Sequence, residues 1–407
     1  MMHTPKNHVR HILCLSTIAL VFSIAQASLA DEIPRPAAQL EKFHLPAGFE
    51  IQLVAADPDI GQPMNLNFDA RGRLWVTSSV EYPYPARGEG VEERPARFGT
   101  ASDHPPRDHI TVISGIGGDG KPKNIQHFAG GLNIPIGVTP IGDGSQAIGY
   151  SIPAIYRFAD RDDDGESDDR RELYSRFGNV DTHGMSNAYT RWIDGWIYGC
   201  HGFSNQSEIT DAAGRVTKLR SGNTYRLKED GSHFQQFTWG QVNPFGLTFD
   251  PLGNLYSADC HSKPLYLLLR GAKYPHFGDK PDGLGFGPQM MRHNHGSTGI
   301  CGPAYYAADH FPAEYQNNLF VCNPVTGRIN RDTLQWHGST PECIEQPDFV
   351  TCDGNVFRPV ALQVGPAGAL YVADFCNPVI GHYEAPLDHP DRDRNHGRIW
   401  RIVYRGR

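Results

Sequence analysis

The amino-acid sequence predicts an all-β fold: a six-bladed β-propeller of four-stranded antiparallel blades, closed into a ring by the N-terminal strand. Three observations lead to this prediction. A strand-turn-strand pattern recurs along the chain, further strands follow most copies, and segments of helical periodicity are almost absent. The composition agrees, because 44 glycines and 31 prolines in 407 residues supply the many turns that a modular β fold requires.

Each repeat combines an alternating strand, a turn that contains glycine and a second alternating strand, which is the pattern of a β-hairpin. The clearest copies are MNLNFDARGRLWV (64–76), NPFGLTFDPLGNLY (243–256) and RPVALQVGPAGALYV (358–372). Weaker copies cover residues 134–150, 183–199 and 302–322. We expect the strand at 49–54 to complete the last blade beside 399–403, because a closed ring leaves no open sheet edge.

The first thirty residues have the pattern of a secretory signal peptide. Lys6 and Arg10 precede an apolar run at 12–25, and small residues lead to a cleavage position after Ala30. The run is short for a stable membrane span, although a retained anchor is the alternative. We therefore predict a signal peptide at 1–30, a linker at 31–44 and the propeller domain at 45–407. The mature protein is expected to be exported, periplasmic or secreted, without a stable membrane span.

Charge and cysteine content exclude several classes of partner. The net charge of −8 and the lack of a basic block argue against nucleic acid. Of the eight cysteines, Cys14 leaves with the signal peptide, and export permits disulfides between others. Cys301 with Cys322 is the best predicted pair, and Cys343 with Cys352 is the second. No C-x-x-C-H motif occurs, so we expect no covalent haem in this chain.

The hairpin topology predicts where a functional site would lie. Residues just before the first strand and just after the second strand of each blade converge on one mouth of the axial channel. The polar residues selected in this way are Asn65, Glu81, His183, His201, Asn243, Asp259, His261, Asn323, Arg358, Asp374 and Asn377. Histidines, carboxylates, amides and an arginine in one concavity are suited to a polar small molecule.

Roles within this set stay open between chemistry and structure. His183 is a candidate general base, because an imidazole titrates near neutral pH, or a structural histidine. Asp259 and Asp374 are equally compatible with accepting backbone N–H groups that join the blades. His201 and His261 each follow a cysteine, but they belong to different blades, so a shared zinc site is not expected.

A separate acidic segment, DRDDDGESD at 160–168, resembles a calcium-binding loop. The predicted oxygen ligands are Asp160, Asp162, Asp164, Glu166 and Asp168. The twelfth position is Arg171 instead of the glutamate of an EF-hand, and no helices are expected around the loop. The alternative is a solvated acidic turn.

Several segments together resemble a family of exported planctomycete proteins, the membrane-bound dehydrogenase domain or PVC-type haem-binding proteins. They are IPAIY (152–156), DTHGM (181–185), DGWIYGCHG (194–202), GQVNPFGL (240–247), HGST (295–298), ADFCNPVIGHY (373–383) and HGRIWRI (396–402). The resemblance implies a propeller similar to the glucose/sorbosone dehydrogenases, which use pyrroloquinoline quinone (PQQ) with calcium. Larger members of the family carry a cytochrome segment, which this chain lacks.

The resemblance implies oxidation of a carbohydrate or alcohol hydroxyl, with a cytochrome as electron acceptor. His183 matches the base of the sugar dehydrogenases, and Asn243 begins their Asn-Pro-x-Gly-Leu segment. Those enzymes carry an arginine just before that asparagine, where this chain has Val242. Arg358 is the predicted substitute. The predicted catalytic residues are His183, Arg358 and Asp374, and the predicted cofactor contacts are Asn243, His201, Asp259, His261 and Asn323.

A second class of function stays open at this stage. The same mouth could hold a glycan or a partner protein without catalysis, through Asp374, Asn323 and His261. A structural scaffold is a third interpretation. Fold alone does not decide among them, because propellers serve many functions.

Overall fold

The computed structural model of the chain describes residues 33–95, 98–276, 285–380, 385–386 and 388–406. The predicted signal peptide at 1–30 lies outside these residues. In the described part of the chain, no helix has both the length and the apolar character needed to span a membrane. The predicted boundary between linker and propeller stays a prediction, although Gln39, within the predicted linker, is fully buried.

The N-terminal part of the described chain comprises the helix α1 (Pro36–Leu40) and the strands β1 (Phe43–His44) and β2 (Phe49–Ala56). A four-stranded sheet follows, with β3 (Gln62–Phe68), β4 (Leu74–Ser79), β5 (Asp108–Ser114) and β6 (Asn124–Leu132). The next consists of β7 (Val138–Ile141), β8 (Gln146–Ser151), β9 (Ala154–Ala159) and β10 (Asp169–Tyr174). Neighbouring strands in both sheets are antiparallel.

The third sheet contains β11 (Ser186–Arg191), β12 (Ile197–His201), β15 (Asn223–Leu227) and β16 (Phe234–Gln236). A separate hairpin, β13 (Gln206–Thr210) and β14 (Val216–Arg220), is inserted between β12 and β15. The fourth sheet has β17 (Asn243–Phe249), β18 (Leu255–Cys260) and β19 (Leu265–Leu268). After it, β20 (Ala272–Lys273) pairs in parallel with β21 (Gly285–Phe286).

The last two sheets both include N-terminal strands. One has six strands, namely β22 (Cys301–Tyr305), β23 (Leu319–Asn323), β24 (Arg328–His337), β25 (Thr340–Glu345), β26 (Val350–Cys352) and β1. The other has β27 (Pro359–Val364), β28 (Leu370–Asp374), β29 (Arg398–Tyr404) and β2. Short 3-10 helices occur at Ala313–Tyr315 and Pro366–Gly368.

The structure confirms an all-β propeller, but the prediction of a six-bladed propeller of four-stranded blades, closed by the N-terminal strand, is wrong. Among the described residues, five sheets contain four or more strands, four of them with four strands and one with six. The sheet β17–β19 has three strands, because the chain then leaves it and pairs with Trp239 instead. The N-terminal segment is divided between two sheets, since β1 pairs with β26 and β2 with β29.

Two of the three clearest hairpin turns share an aspartate four residues before an arginine or asparagine, whereas the third copy has Gly365 at the position of the aspartate. Asp69 Oδ1 accepts the backbone N–H groups of Arg71 and Arg73, both at 2.9 Å. Asp250 Oδ1 accepts those of Leu252 and Asn254 at the same distances. A glycine with positive φ closes each turn, which a side chain would strain. In these two turns, the repeat in the sequence corresponds to the same pair of hydrogen bonds between an aspartate side chain and the backbone.

Apolar side chains from neighbouring sheets pack face to face. Trp75 of β4 and Ile110 of β5 meet Ala147 of β8 and Phe158 of β9 in one cluster, each at most 1% exposed. Burial of one large apolar side chain contributes about 1.5–3 kcal/mol, so these contacts between sheets are a main source of stability. They fix the sheets around the axis and thereby the loops at its two ends.

The first strand of each sheet lies at the axis. A cavity of about 290 Å³ is lined by residues of β3, β7, β11, β17, β22 and β27, including Leu66, Thr139, Ala188, Phe245 and Leu362. Its walls come from the middle and later residues of most of these strands. We call the opposite end of the channel, where the first strands begin and the second strands end, the upper mouth.

Candidate active site at the upper mouth

Two of the predicted mouth residues, Asp259 and Asp374, accept hydrogen bonds from backbone N–H groups of their own sheets. Asp259 ends the second strand of its sheet and accepts the N–H of Asn243 (2.7 Å) and of Val242 (3.1 Å), where the first strand begins. Asp374 Oδ1 likewise accepts the N–H of Arg358 at 2.8 Å. The structural alternative for these carboxylates therefore has direct support. Burial raises the pKa of Asp259 to about 7.

The second carboxylate oxygen of Asp374 is also engaged. Its Oδ2 accepts the indole N–H of Trp400 at 2.9 Å and the side-chain amide of Gln39 at 3.1 Å. Asp374 is fully buried, and burial raises its pKa. These contacts favour a structural role over the predicted catalytic one, because no face of the carboxylate is open to a ligand.

Arg358 is held by backbone carbonyl groups. Its Nε donates to Asn377 O at 2.8 Å, its Nη1 to Pro324 O at 2.8 Å and its Nη2 to Pro378 O at 3.1 Å. Burial lowers the pKa of the guanidinium to about 10. The side chain thus joins the loops after β23 and β28. Because its guanidinium is engaged in this way, Arg358 is a poor candidate for the cation that we predicted would replace an arginine at position 242.

His183 lies in the loop before β11, at the upper mouth, with 17% of its side chain exposed. Asp181 Oδ1 accepts the backbone N–H of His183 at 3.0 Å and lies 3.5 Å from its Nδ1. Burial lowers the pKa of the imidazole, the Asp181 carboxylate opposes this effect, and the charges of Arg392 and Arg94 lower the pKa further. A neutral imidazole able to accept a proton at pH 7 is the result.

Tyr82 connects His183 to the last sheet. Its ring centroid lies 5.0 Å from that of His183 and 5.6 Å from that of Phe375. The backbone N–H of Phe375 in turn donates to Arg358 O at 2.9 Å, so His183 and Arg358 belong to the same end of the channel. Burial raises the pKa of the Tyr82 hydroxyl, which therefore stays protonated and able to donate a hydrogen bond.

Two arginines lie close enough to influence His183, namely Arg94 in the segment between β4 and β5 and Arg392 in the segment between β28 and β29. Arg94 Nε donates to Val180 O at 3.0 Å, and its Nη2 donates to Thr182 Oγ1 at 3.4 Å. Its Nη1 is buried and has no hydrogen-bond acceptor among the described residues. Arg392 acts through its charge on the pKa of both His183 and Tyr82. Two cations beside a neutral base favour an anionic ligand.

Asn243 forms a hydrogen bond with the loop after β12, which packs against the loop that contains His183. Its Oδ1 accepts the backbone N–H of Phe203 at 2.9 Å. A Cβ on Gly202 would meet Asn243 Oδ1 at 2.3 Å and the Cα of Gly184, next to His183, at 2.6 Å. The loops that contain Gly184 and Gly202 are thus packed backbone to backbone, and the side chain of Asn243 lies against them. Val242 is buried, so the position supplies no cation.

The remaining predicted contacts are distributed differently. His201 is fully buried between Ser221 O and Ser207 Oγ, both at 2.7 Å, and burial lowers its pKa to about 4. His261 is exposed and has a positive φ of 65°. Asn323 is fully buried. The binding interpretation therefore loses two of its three contacts, Asn323 and Asp374, and keeps His261.

The acidic loop brings together part of its predicted set. Donor oxygens of Asp160, Asp162 and Asp168 lie within 4.8 Å of one another. Asp164 and Glu166 are not part of this group. The like charges of Asp164 and Asp168 raise the pKa of Asp162, which shows an excess of negative charge that a cation would relieve. Three converging carboxylates are oxygen ligands of the kind that calcium prefers.

The cysteine predictions are wrong. The cysteines of the described residues are free, including Cys301, Cys322, Cys343 and Cys352. Cys301 and Cys322 are direct partners in the β22–β23 ladder, so the sequence placed them correctly on neighbouring strands. Cys343 and Cys352 are on different strands, β25 and β26, which both pair with β24 rather than with each other.

Sequence reasoning missed Tyr82, Arg94 and Arg392. All three are in the two long inserts, after β4 and after β28, which carry no strand periodicity. The available signal was indirect, since polar and aromatic residues in long inserts of a rigid scaffold are often functional.

The fold is similar to that of several solved propellers whose names describe them as sugar dehydrogenases. A structure of glucose dehydrogenase matches with a TM-score of 0.56 and 16% identity over 86% of this chain and 98% of that one. PQQ-bound aldose sugar dehydrogenase from Streptomyces coelicolor matches with a TM-score of 0.53 and 16% identity, covering 88% and 99%. The PQQ domain of pyranose dehydrogenase from Coprinopsis cinerea gives 0.52 and 13%, covering 89% and 97%. These similarities show the fold.

The chain belongs to the family described as Domain of unknown function (DUF7133), which matches residues 35–406. No curated protein matches it. The resemblance to the planctomycete dehydrogenase-domain family stays a prediction.

Proposed function

We propose that the protein oxidises a hydroxyl group of a sugar or related alcohol at the upper mouth, with PQQ as the bound electron acceptor. The observation that carries this proposal is His183, a largely buried, neutral imidazole beside Asp181, with Arg94 and Arg392 as neighbouring cations. A base next to an anion-binding surface is the combination that such an oxidation requires.

The residues present fit a polyanionic quinone. PQQ carries carboxylates, and the buried Nη1 of Arg94 has a hydrogen bond to offer them. Arg94 and Arg392 take the part that Val242 cannot fill in this chain. When bound, the quinone supplies the two-electron acceptor. Asn243, predicted as a cofactor contact, instead supports the His183 loop through Phe203.

The protein's own residues would act on the proton of the substrate. His183 accepts the hydroxyl proton, and Asp181 orients the loop through the backbone N–H of His183. The hydroxyl of Tyr82, whose ring lies 5.0 Å from that of His183, positions the substrate oxygen as a donor. The Phe375 ring beside Tyr82 limits access of water.

Three further features belong to this proposal. Calcium would bind at Asp160, Asp162 and Asp168, away from the proton transfer. The chain would be exported to the periplasm or the exterior, in accord with its N-terminal sequence. A cytochrome would accept the electrons.

The experiment is reconstitution of the purified protein with PQQ and calcium, followed by dye reduction across a panel of aldoses and alcohols. We expect activity that falls about 10²- to 10⁴-fold in His183→Ala, the usual contribution of a general base. His44→Ala is the matched control, because His44 is exposed on the short strand β1. No dye reduction by the wild type, together with sugar binding that survives His183→Ala, would favour the non-catalytic binding interpretation.

A further inference from the structure

A second group of histidine and carboxylate side chains lies on the six-stranded sheet, away from the His183 loop in the chain. His293 and His295 belong to the segment that leads into β22, Asp332 lies on β24, and Glu345 ends β25. Asp332 and Glu345 are direct partners in the β24–β25 ladder. Strand pairing therefore brings residues that are far apart in the sequence to one point.

At this point, two histidine side chains contact the two carboxylate oxygens of Asp332. His293 Nε2 lies 2.7 Å from Asp332 Oδ1, and His295 Nε2 lies 2.7 Å from Asp332 Oδ2. The two imidazole rings are edge to face, with centroids 4.7 Å apart. Asp332 is fully buried, His295 has 1% of its side chain exposed and His293 has 19%. The group is thus enclosed on one side and open at His293.

We propose that His293, His295 and Asp332 bind a divalent transition-metal ion. One donor atom from each lies within 4.8 Å of the other two, and bonds of about 2.0–2.2 Å to a central ion need only small side-chain movements. Two imidazoles and one carboxylate suit zinc or iron(II). Calcium and magnesium prefer oxygen ligands, so the imidazoles argue against them.

An outer partner fixes the ligand orientation. His295 Nδ1 lies 3.3 Å from Glu345 Oε1, so a metal ion that replaces the proton between Nε2 and Asp332 would leave the remaining ring proton facing Glu345. A carboxylate behind a histidine is the usual outer-shell arrangement at metal sites. The carboxylates of Asp332 and Glu345, both close to His295, would together offset the charge of a dication.

The backbone holds this segment in an unusual conformation. His295 has a φ of 52°, which is strained for a residue other than glycine. Asn323, predicted as a cofactor contact, donates its side-chain amide to His295 O at 3.1 Å and to Asn330 Oδ1 at 3.1 Å. The buried amide at the end of β23 thus keeps His295 directed at Asp332, and we assign Asn323 a positioning role for this site.

The test is metal binding to the full-length protein after treatment with a chelator. Zinc is titrated by calorimetry, and cobalt is titrated as a spectroscopic probe whose visible absorption reports nitrogen and oxygen ligation. We expect one equivalent of zinc and a zinc-dependent rise in Tm. Glu345→Gln should weaken zinc binding by about 10- to 100-fold, and His293→Ala should weaken it more, because it removes a direct ligand.

The matched control is His127→Ala. His127 pairs with His109 at 4.1 Å between ring centroids on another sheet, and neither belongs to a group of converging metal ligands among the described residues. This variant should bind zinc like the wild type. Asp332→Asn is the second ligand variant, and circular dichroism shows whether it folds. If it does not fold, zinc binding by His293→Ala, a change at a partly exposed residue, is the deciding measurement. A folded wild type without zinc binding, or His293→Ala with unchanged binding, would overturn the proposal.

Discussion

Asp181 Oδ1 both accepts the backbone N–H of His183 and lies 3.5 Å from its imidazole Nδ1. One carboxylate therefore fixes the loop and faces the ring that the loop presents. Its charge favours the protonated imidazole, whereas burial and two arginines favour the neutral form, and the net effect lowers the pKa. The balance of these contributions sets the pH range in which His183 can act as a base.

The pH dependence of the rate follows from this balance. Because the pKa of His183 is lowered, the base is neutral down to pH values below about 6.5, the ordinary value. We expect kcat/KM of the reconstituted protein to fall with decreasing pH, with a midpoint below about 6.5. Asp181→Asn should move this midpoint to lower pH still, because it removes the carboxylate that raises the pKa. A midpoint above 7 in the wild type would contradict the assignment.

Asp374→Asn tests the structural role of a residue that the sequence presented as catalytic. The substitution turns an amide group toward two donors, Trp400 Nε1 and Gln39 Nε2. We expect the free energy of unfolding to fall by about 2–4 kcal/mol, measured in guanidinium chloride. Asp103→Asn, at an exposed position, should change it by less than about 0.5 kcal/mol. Unchanged stability with lost activity would restore the catalytic interpretation.

His201 makes stability depend on pH. Its pKa is about 4 in the folded state and about 6.5 in the unfolded state, so the unfolded chain binds the proton more tightly. The free energy of unfolding should therefore decrease as the pH falls from about 6.5 to about 4, by about 3 kcal/mol from this residue. His201→Gln should remove that part of the slope, while the contribution of His109 stays the same in both proteins. Identical slopes would show that His201 is not responsible.

In the acidic loop, the structure and the sequence pattern predict different calcium ligands, and calcium binding by variants tests which prediction holds. Asp162 belongs to the group of converging oxygens, whereas Glu166 does not. Asp162→Asn should therefore raise the Kd for calcium by about tenfold or more, and Glu166→Gln should leave it within about twofold. Isothermal titration at fixed ionic strength provides the measurement. Equal effects of both substitutions would mean that charge alone attracts the ion.

The sequence predicted the class of fold because the hairpin repeat is local. Aspartate and glycine at fixed spacing determine turns such as 69–73 and 250–254, whatever surrounds them. The number of strands in each sheet depends on distant contacts. Trp239 draws residues 272–274 away from the three-stranded sheet, and the ten residues of β24 extend far enough to pair with β25.

The site was predicted in part for the same reason. Topology correctly assigned His183 and Arg358 to one mouth, but alternation does not reveal whether a carboxylate faces the axis or its own backbone, as Asp259 and Asp374 do. Arg94 and Arg392 are in inserts whose course no periodicity dictates. His293 and Asp332 are 39 residues apart in the sequence, and they come into contact because β22, β23 and β24 lie in one sheet.

The most direct test of the proposed chemistry is a single-turnover measurement on protein loaded with PQQ. The absorbance of the bound quinone is followed after rapid mixing with an aldose, in the wild type and in His183→Ala with the same amount of quinone bound. We predict stoichiometric reduction in the wild type and a rate lower by about 10²- to 10⁴-fold in the variant. Equal rates in the two proteins, or a loaded wild type that no sugar or alcohol reduces, would contradict the proposal.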